Sequence, residues 1–162
     1  MSWILLIYKI PSAPARHRIG VWRRLKKLGA IYLQKSAVVL PDNTYLRDEL
    51  ENLAHDIENF RGEATIVFTS DIEKEAKIVA EFQEQSNKEY ERIISRCKKF
   101  LKSIPMELKR TKIKELEVML DESKQRFAEA RRRDYFDARK SEETERIVTE
   151  CEELYLKLVR GV

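Results

Sequence analysis

The chain has 162 residues, a net charge of +4, 43% hydrophobic residues and 37% charged ones. That length holds one ordinary domain or a small domain with an extension, and so much charge suits long solvated helices. No apolar run is long enough to cross a bilayer, and the stretch from Trp3 to Ile7 is too short for a signal-peptide core, so a cytoplasmic protein with no membrane partner is expected.

The run from Trp3 to Tyr8, closed by Pro11 and Pro14, reads as a central strand buried on both faces. From Ala15 to Leu28 the residues Ile19, Val21, Trp22, Leu25 and Leu28 fall on one side at helical spacing, and Gly29 stands where a left-handed cap is wanted. Ala30 to Gln34 and Ala37 to Leu40 read as an antiparallel hairpin joined at Lys35-Ser36. Pro41-Asp42-Asn43 opens a second helix with an apolar stripe of Tyr45, Leu46, Leu50, Leu53, Ala54 and Ile57, ended by Gly62. Ala64 to Thr69 is a last strand. The order β-α-β-β-α-β within residues 1–70 predicts a ferredoxin-like α+β domain. Two helices cover one sheet face, which leaves the other for the C-terminal helices or for a second subunit in a homodimer.

Residues 71–162 read as a helical extension. Ser70-Asp71-Ile72-Glu73 has the form of a capping box. Ile72, Ala76, Val79, Phe82, Ser86, Tyr90, Ile93, Cys97, Phe100 and Ile104 then recur at steps of three and four, a heptad-like seam. Ser103-Ile104-Pro105 breaks it and starts another helix, with Ile113, Leu116, Leu120, Ser123, Phe127 and Ala130 in the same rhythm. Ser141 opens a further helix with Ile147, Val148, Cys151, Leu154, Tyr155 and Leu158. Short breaks predict long helices packed antiparallel. Cys97 and Cys151 sit on apolar positions and read as small buried hydrophobes; with only His17 and His55 beside them, at no ligand spacing, no metal site is expected.

Charge is distributed unevenly. Residues 1–41 contain eight basic residues and no acidic one, while the remainder holds 24 basic and 28 acidic residues. A concentrated positive field suits an anionic partner. Arg16, Arg23 and Lys27, at i, i+7 and i+11, share a narrow arc of the first helix; Gly20 lies in the same stripe and Lys26 flanks it. Stacked like charges repel unless an anion or acid neutralises them. Two readings fit: a phosphate or oxyanion seat gripped by arginine forks, or a solvated face paired with acidic residues of the C-terminal helices. A second basic group, Arg131, Arg132 and Arg133, precedes Tyr135 and Phe136, whose rings are expected to pack into the helices. Trp3 and Trp22 are both expected in the core, and His17 at the surface. There is no glycine-rich phosphate loop, G-x-S-x-G, H-E-x-x-H or CxxC, so no cofactor is expected.

The string Trp3-Ile-Leu-Leu-Ile-Tyr-Lys-Ile-Pro11, then Arg18, Val21-Trp-Arg-Arg-Leu-Lys-Lys-Leu-Gly-Ala30, Leu33-Gln34 and Val38-Val-Leu-Pro41 resembles the N-terminal domain of ChrB-type chromate-resistance proteins. Gly62-Glu-Ala-Thr65, Glu89-Tyr90 and Arg133-Asp-Tyr-Phe136 extend the likeness over nearly the whole chain. The first 70 residues are also similar to the central domain of PaaX-type repressors and, more remotely, to the small CRISPR-associated nuclease, whose first-strand aspartate is replaced by Lys9 in this region. The resemblance implies a non-enzymatic regulator of a chromate-resistance operon that binds promoter DNA, chromate or another oxyanion. It carries the DNA or oxyanion contact to Arg16, Arg18, Arg23, Arg24, Lys26 and Lys27, to which the residues themselves add Arg131, Arg132 and Arg133. Longer members of that family continue into a second domain, so a separate partner supplying it is a further expected partner. The alternative is a structural module that dimerises through its sheet or docks another protein by its helices. A phosphodiesterase ranks last, because no convergent carboxylates are visible to hold a metal.

Overall fold

A computed structural model describes residues 1–105 and 109–161. Its elements are β1 (Trp3–Lys9), α1 (Ala15–Leu28), β2 (Ile31–Gln34), β3 (Ala37–Pro41), α2 (Thr44–Asn59), β4 (Glu63–Thr69), α3 (Glu75–Lys102), α4 (Arg110–Arg132) and α5 (Ser141–Arg160). The residues form two compact units, Met1–Phe82 and Gln83–Val162, so the first turns of α3 belong with the sheet. Among the described residues no helix is long and apolar enough to cross a membrane.

In the first unit the strands lie in the order β2-β3-β1-β4, every neighbouring pair antiparallel. This is the ferredoxin-like order, and the fold is α+β. Side chains alternate along each strand. Ile4 and Leu6 share a face with Leu40 and Val38 of β3 and with Phe68 and Ile66 of β4. Both helices lie on that side: Arg47 of α2 sits 4.5 Å over the Phe68 ring, and α1 borders a groove with Tyr8 and Tyr32. Val21, Leu25 and Leu28 of α1 and Leu46, Leu50, Leu53 and Ile57 of α2 are buried, which is what fixes each helix to the sheet. Asn43 caps α2 by accepting from the Leu46 N–H at 2.8 Å.

On the opposite face, the described residues of the first unit cover one end. Trp3 is fully buried there, stacked 6.1 Å from Phe82, and its indole N–H donates to Glu75 at 2.7 Å. Ile7 on the same face is 45% exposed. The expectation of a first strand buried on both faces therefore holds only for its N-terminal half, because the opening of α3 does not shield Ile7. α3 also starts later than the Ser70 box implies. The Thr69 hydroxyl accepts from the Asp71 N–H and donates to its carbonyl, and Lys74 takes a left-handed φ of 59°, so helical geometry begins at Glu75. Ile78 and Phe82 are buried in its first turns, whereas Ala76 is exposed.

Two glycines play different parts. Gly29 takes φ 80° and closes α1, with its N–H on Lys26 and the Ala30 N–H on Leu25. Gly62 does not supply the left-handed residue that ends α2; Arg61 does, at φ 62°. Gly62 is needed for close approach instead, since a Cβ there would lie 2.4 Å from the Lys9 carbonyl and 2.7 Å from Ile57 Cγ2.

In the second unit, residues from Gln83 onward in α3 pack with α4 and α5 as three helices. Tyr90, Ile93, Cys97 and Phe100 meet Leu116, Leu120, Ala130, Ala138, Val148 and Cys151 in one buried cluster. Arg96–Glu122 and Arg133–Glu89 pairs run α3 against α4, and Lys124–Glu152 and Arg131–Glu145 run α4 against α5, so successive helices are antiparallel. Both cysteines are free and buried, and the Cys151 thiol donates to the Cys97 carbonyl at 3.6 Å. The start of the helix expected after Pro105 involves residues 106–108, which lie outside the described residues.

Gly62→Ala is expected to destabilise the first unit by about 1–3 kcal/mol, because the contact atoms are mainly backbone and cannot yield. Gly20→Ala, with nothing within 4 Å of the added carbon, is expected to stabilise it by about 0.5–1 kcal/mol. Urea unfolding of the two variants tests the pair.

Candidate anion-binding helix

Helix α1 begins after Pro14 without a side-chain cap and has no acidic residue in its first turn; Lys26 and Lys27 lie in its last turn, where the helix dipole favours cations. At 3.6 residues per turn its polar residues divide into two rows on either side of the exposed crest. Arg16, Arg23 and Lys27 fall within an arc of about 40° and form the outer row, while Arg18, Trp22 and Lys26 form the inner row, within about 80°. Arg16, Arg18, Arg23, Lys26 and Lys27 are all exposed. Arg24, on the α2 side, is half-buried and donates to Asp56 at 2.5 Å. Among the described residues no ion pair reaches the other five. Arg23 and Lys27 repel at i, i+4 at a cost of about 0.2–0.5 kcal/mol, which an approaching anion would relieve.

Two side chains of α1 depart from expectation. Trp22 is not core: it is 47% exposed, with the Lys26 ammonium 4.7 Å from its ring centre. It sits at the edge of the apolar arc centred on Val21, Leu25 and Leu28, and Ile19, at 48% exposed, lies further round still. His17 is half-buried rather than at the surface, stacked 3.9 Å from the Phe60 ring. Trp22, Ile19 and Arg18 form one wall of an open groove of about 780 Å³ whose floor includes Tyr8 and Tyr32.

The second basic group is arranged otherwise. Arg133 forks onto the Glu89 carboxylate, its Nε donating at 2.9 Å and its Nη2 donating to the other oxygen, and this pairing raises the pKa of the guanidinium further. Arg131 pairs with Glu145 at 3.2 Å and stands 5.6 Å over Phe127. Arg132 is exposed. The three do not converge on one point, and two of them are already matched by carboxylates. Beside them the Tyr90 hydroxyl donates to Asp134 at 2.8 Å, Asp134 accepts from the Ala138 N–H at 2.9 Å, the Lys140 N–H donates to Asn87 at 3.0 Å, and Gln83 donates to the Phe136 carbonyl at 3.0 Å. The polar groups of α3 thus tie down the turn between α4 and α5. Sequence reasoning missed this clasp because its partners stand 44 to 53 residues apart. Among the described residues no three His, Cys, Asp or Glu side chains converge as a metal ion would require.

Arg133→Ala leaves Glu89, 23% exposed, without its fork and is expected to cost about 1–3 kcal/mol. Tyr90→Phe should cost about 0.5–1.5 kcal/mol near neutral pH. Burial first, with the bond to Asp134 adding to it, holds the Tyr90 pKa above its ordinary 10.0. The folded state therefore keeps that proton longer than the unfolded one, so the stability is present below pH 10.0 and is lost as pH rises above it. Unfolding curves of wild type and Tyr90→Phe should converge in that range.

The family model described as "Protein ChrB, N-terminal" matches residues 18–159. Protein ChrB of Cupriavidus metallidurans is 34% identical over 83 residues, covering 50% of this chain and 26% of that protein, so the match spans about a quarter of the relative's length. No solved structure matches the chain. The α1 cations from Arg18 onward and the whole Glu89–Arg133 clasp lie within the matched span, and the chain belongs to the ChrB N-terminal family.

Proposed function

We propose that this chain is a non-enzymatic regulator of chromate resistance that acts in the cytoplasm and binds promoter DNA, chromate, or both through the exposed cations of α1. The observation that carries the reading is the set of five exposed basic side chains on one helix, none in an ion pair among the described residues. Family membership supports the chromate context, and the groups on α1 suit binding rather than chemistry: guanidinium and ammonium groups grip oxyanions, and no acid–base pair accompanies them. Arg16, Arg23 and Lys27 would take the anion. Arg18 and Lys26 would add to the field, and Arg24, held by Asp56, would brace the helix against α2. Chromate and a DNA phosphate are both tetrahedral oxyanions, so one row serves either.

Homodimerisation through the sheet is the second reading. Ile7 and Val67, 45% and 36% exposed, share the face that α3 leaves open. Sedimentation equilibrium should then give a dimer that Ile7→Lys dissociates; a monomer at all concentrations sets this reading aside.

The regulatory reading is tested by Arg23→Ala combined with Lys27→Ala. The double variant should keep its unfolding curve, bind a promoter fragment more weakly in gel-shift titration or chromate more weakly in calorimetry, and lower the salt slope of DNA binding by about 1.8. Wild-type affinity in the double variant for both ligands would refute it.

A further inference from the structure

The inner row of α1 faces a feature that the regulatory reading does not use. Between α1, the strands β1 and β2 and the turn after β2 lies an open groove of about 780 Å³, within the range of small-molecule sites. Its chemistry is unusual for a plain surface cleft. Trp22 and Ile19, 47% and 48% exposed, give it a broad apolar wall. Arg18 and Lys35 bring positive charge from two separate parts of the chain, and none of the described residues lining it is acidic. On the floor the Tyr8 and Tyr32 hydroxyls lie 2.8 Å apart. One donates to the other, which leaves a spare O–H donor and acceptor lone pairs for a ligand edge. Burial, reinforced by the bond to Tyr8, raises the Tyr32 pKa above its ordinary value, so the Tyr32 hydroxyl keeps its proton.

We propose that this groove binds a flat heteroaromatic ring carrying a phosphate, as in a nucleotide. The ring lies against Trp22 and Ile19, its polar edge meets the Tyr8–Tyr32 pair, and the phosphate is held by Arg18 with Lys35. The requirement for a ring comes from the exposed indole, since a bare oxyanion gains nothing from it, whereas stacking on an aromatic side chain is favourable for any base. The requirement for an anion comes from two cations with no carboxylate among the described lining residues. Lys26, 4.7 Å from the Trp22 ring centre, adds to the positive potential at that wall. Such a ring and phosphate reach the groove either as a free nucleotide or as an unpaired residue of a single strand.

The experiment is calorimetric titration of the whole chain with the four nucleoside 5′-monophosphates, with ribose 5-phosphate, with a nucleoside, and with a short oligothymidylate. At least one ring-bearing phosphate should bind saturably, and ribose 5-phosphate and the nucleoside should each bind at least about tenfold more weakly. Trp22→Ala should weaken the nucleotide by about tenfold or more, the loss expected for a stacking platform, and Arg18→Ala should do likewise. Both side chains are exposed, and circular dichroism of each variant should match wild type. Preference for the oligothymidylate by more than tenfold identifies a single strand as the source, and comparable or tighter binding of a monophosphate identifies the free nucleotide. No saturable binding of any ring-bearing phosphate, or affinity unchanged by Trp22→Ala and Arg18→Ala, overturns the proposal. Duplex DNA does not enter this assay, so a chain that fails to bind a promoter yet takes a monophosphate supports the groove alone.

Discussion

The arrangement of α1 depends on apolar burial outweighing like-charge repulsion. The helix carries five exposed cations and has no acidic residue of its own. It is held to the sheet by Val21, Leu25 and Leu28, 1%, 0% and 8% exposed. Each such side chain contributes about 1.5–3 kcal/mol on burial, against about 0.2–0.5 kcal/mol lost at a repelling i, i+4 pair. Burial wins, and the Arg24–Asp56 bond anchors one flank. The fold can therefore hold a row of positive charges in place with no ion-pair partner among the described residues on the outer side.

The second unit solves the opposite problem. Its basic residues near the end of α4 are largely spoken for: Arg133 by Glu89, Arg131 by Glu145, and Lys140 by Glu91 at 2.7 Å. These pairs and the Tyr90–Asp134 bond fix the turn between α4 and α5. The Glu89-Tyr90 and Arg133-Asp134 strings, which help carry the family likeness, bond to each other. Their role in the molecule is architectural.

Much of the first unit could be read locally. Gly29 and Asn43 have the conformations and bonds that their positions imply, and the apolar stripe of α2 is buried as spaced. Local patterns failed where two solutions competed over a few residues. Thr69 rather than Ser70 organises the turn before α3, and Arg61 rather than Gly62 takes the left-handed conformation, leaving glycine for the contact with Lys9. Trp22 and Ile19 share helical spacing with the core but sit too far round the helix to be covered. For the candidate site, the outer row of α1 was visible as a spacing. The groove was not, because Tyr8, Arg18 and Tyr32 meet only through the sheet, and the neutralisation of Arg133 depends on a carboxylate 44 residues away.

The proposal turns on the outer row of α1 taking an anion while Arg24, Arg131 and Arg133 are already held by carboxylates. Side-chain NMR signals of the arginines and lysines, followed as chromate and then promoter DNA is added, test it most directly. The account predicts that Arg16, Arg23 and Lys27 shift with at least one of the two ligands while Arg24 and Arg133 stay in place. Shifts confined to Arg24 and Arg133, or no movement on α1 with either ligand, would contradict it.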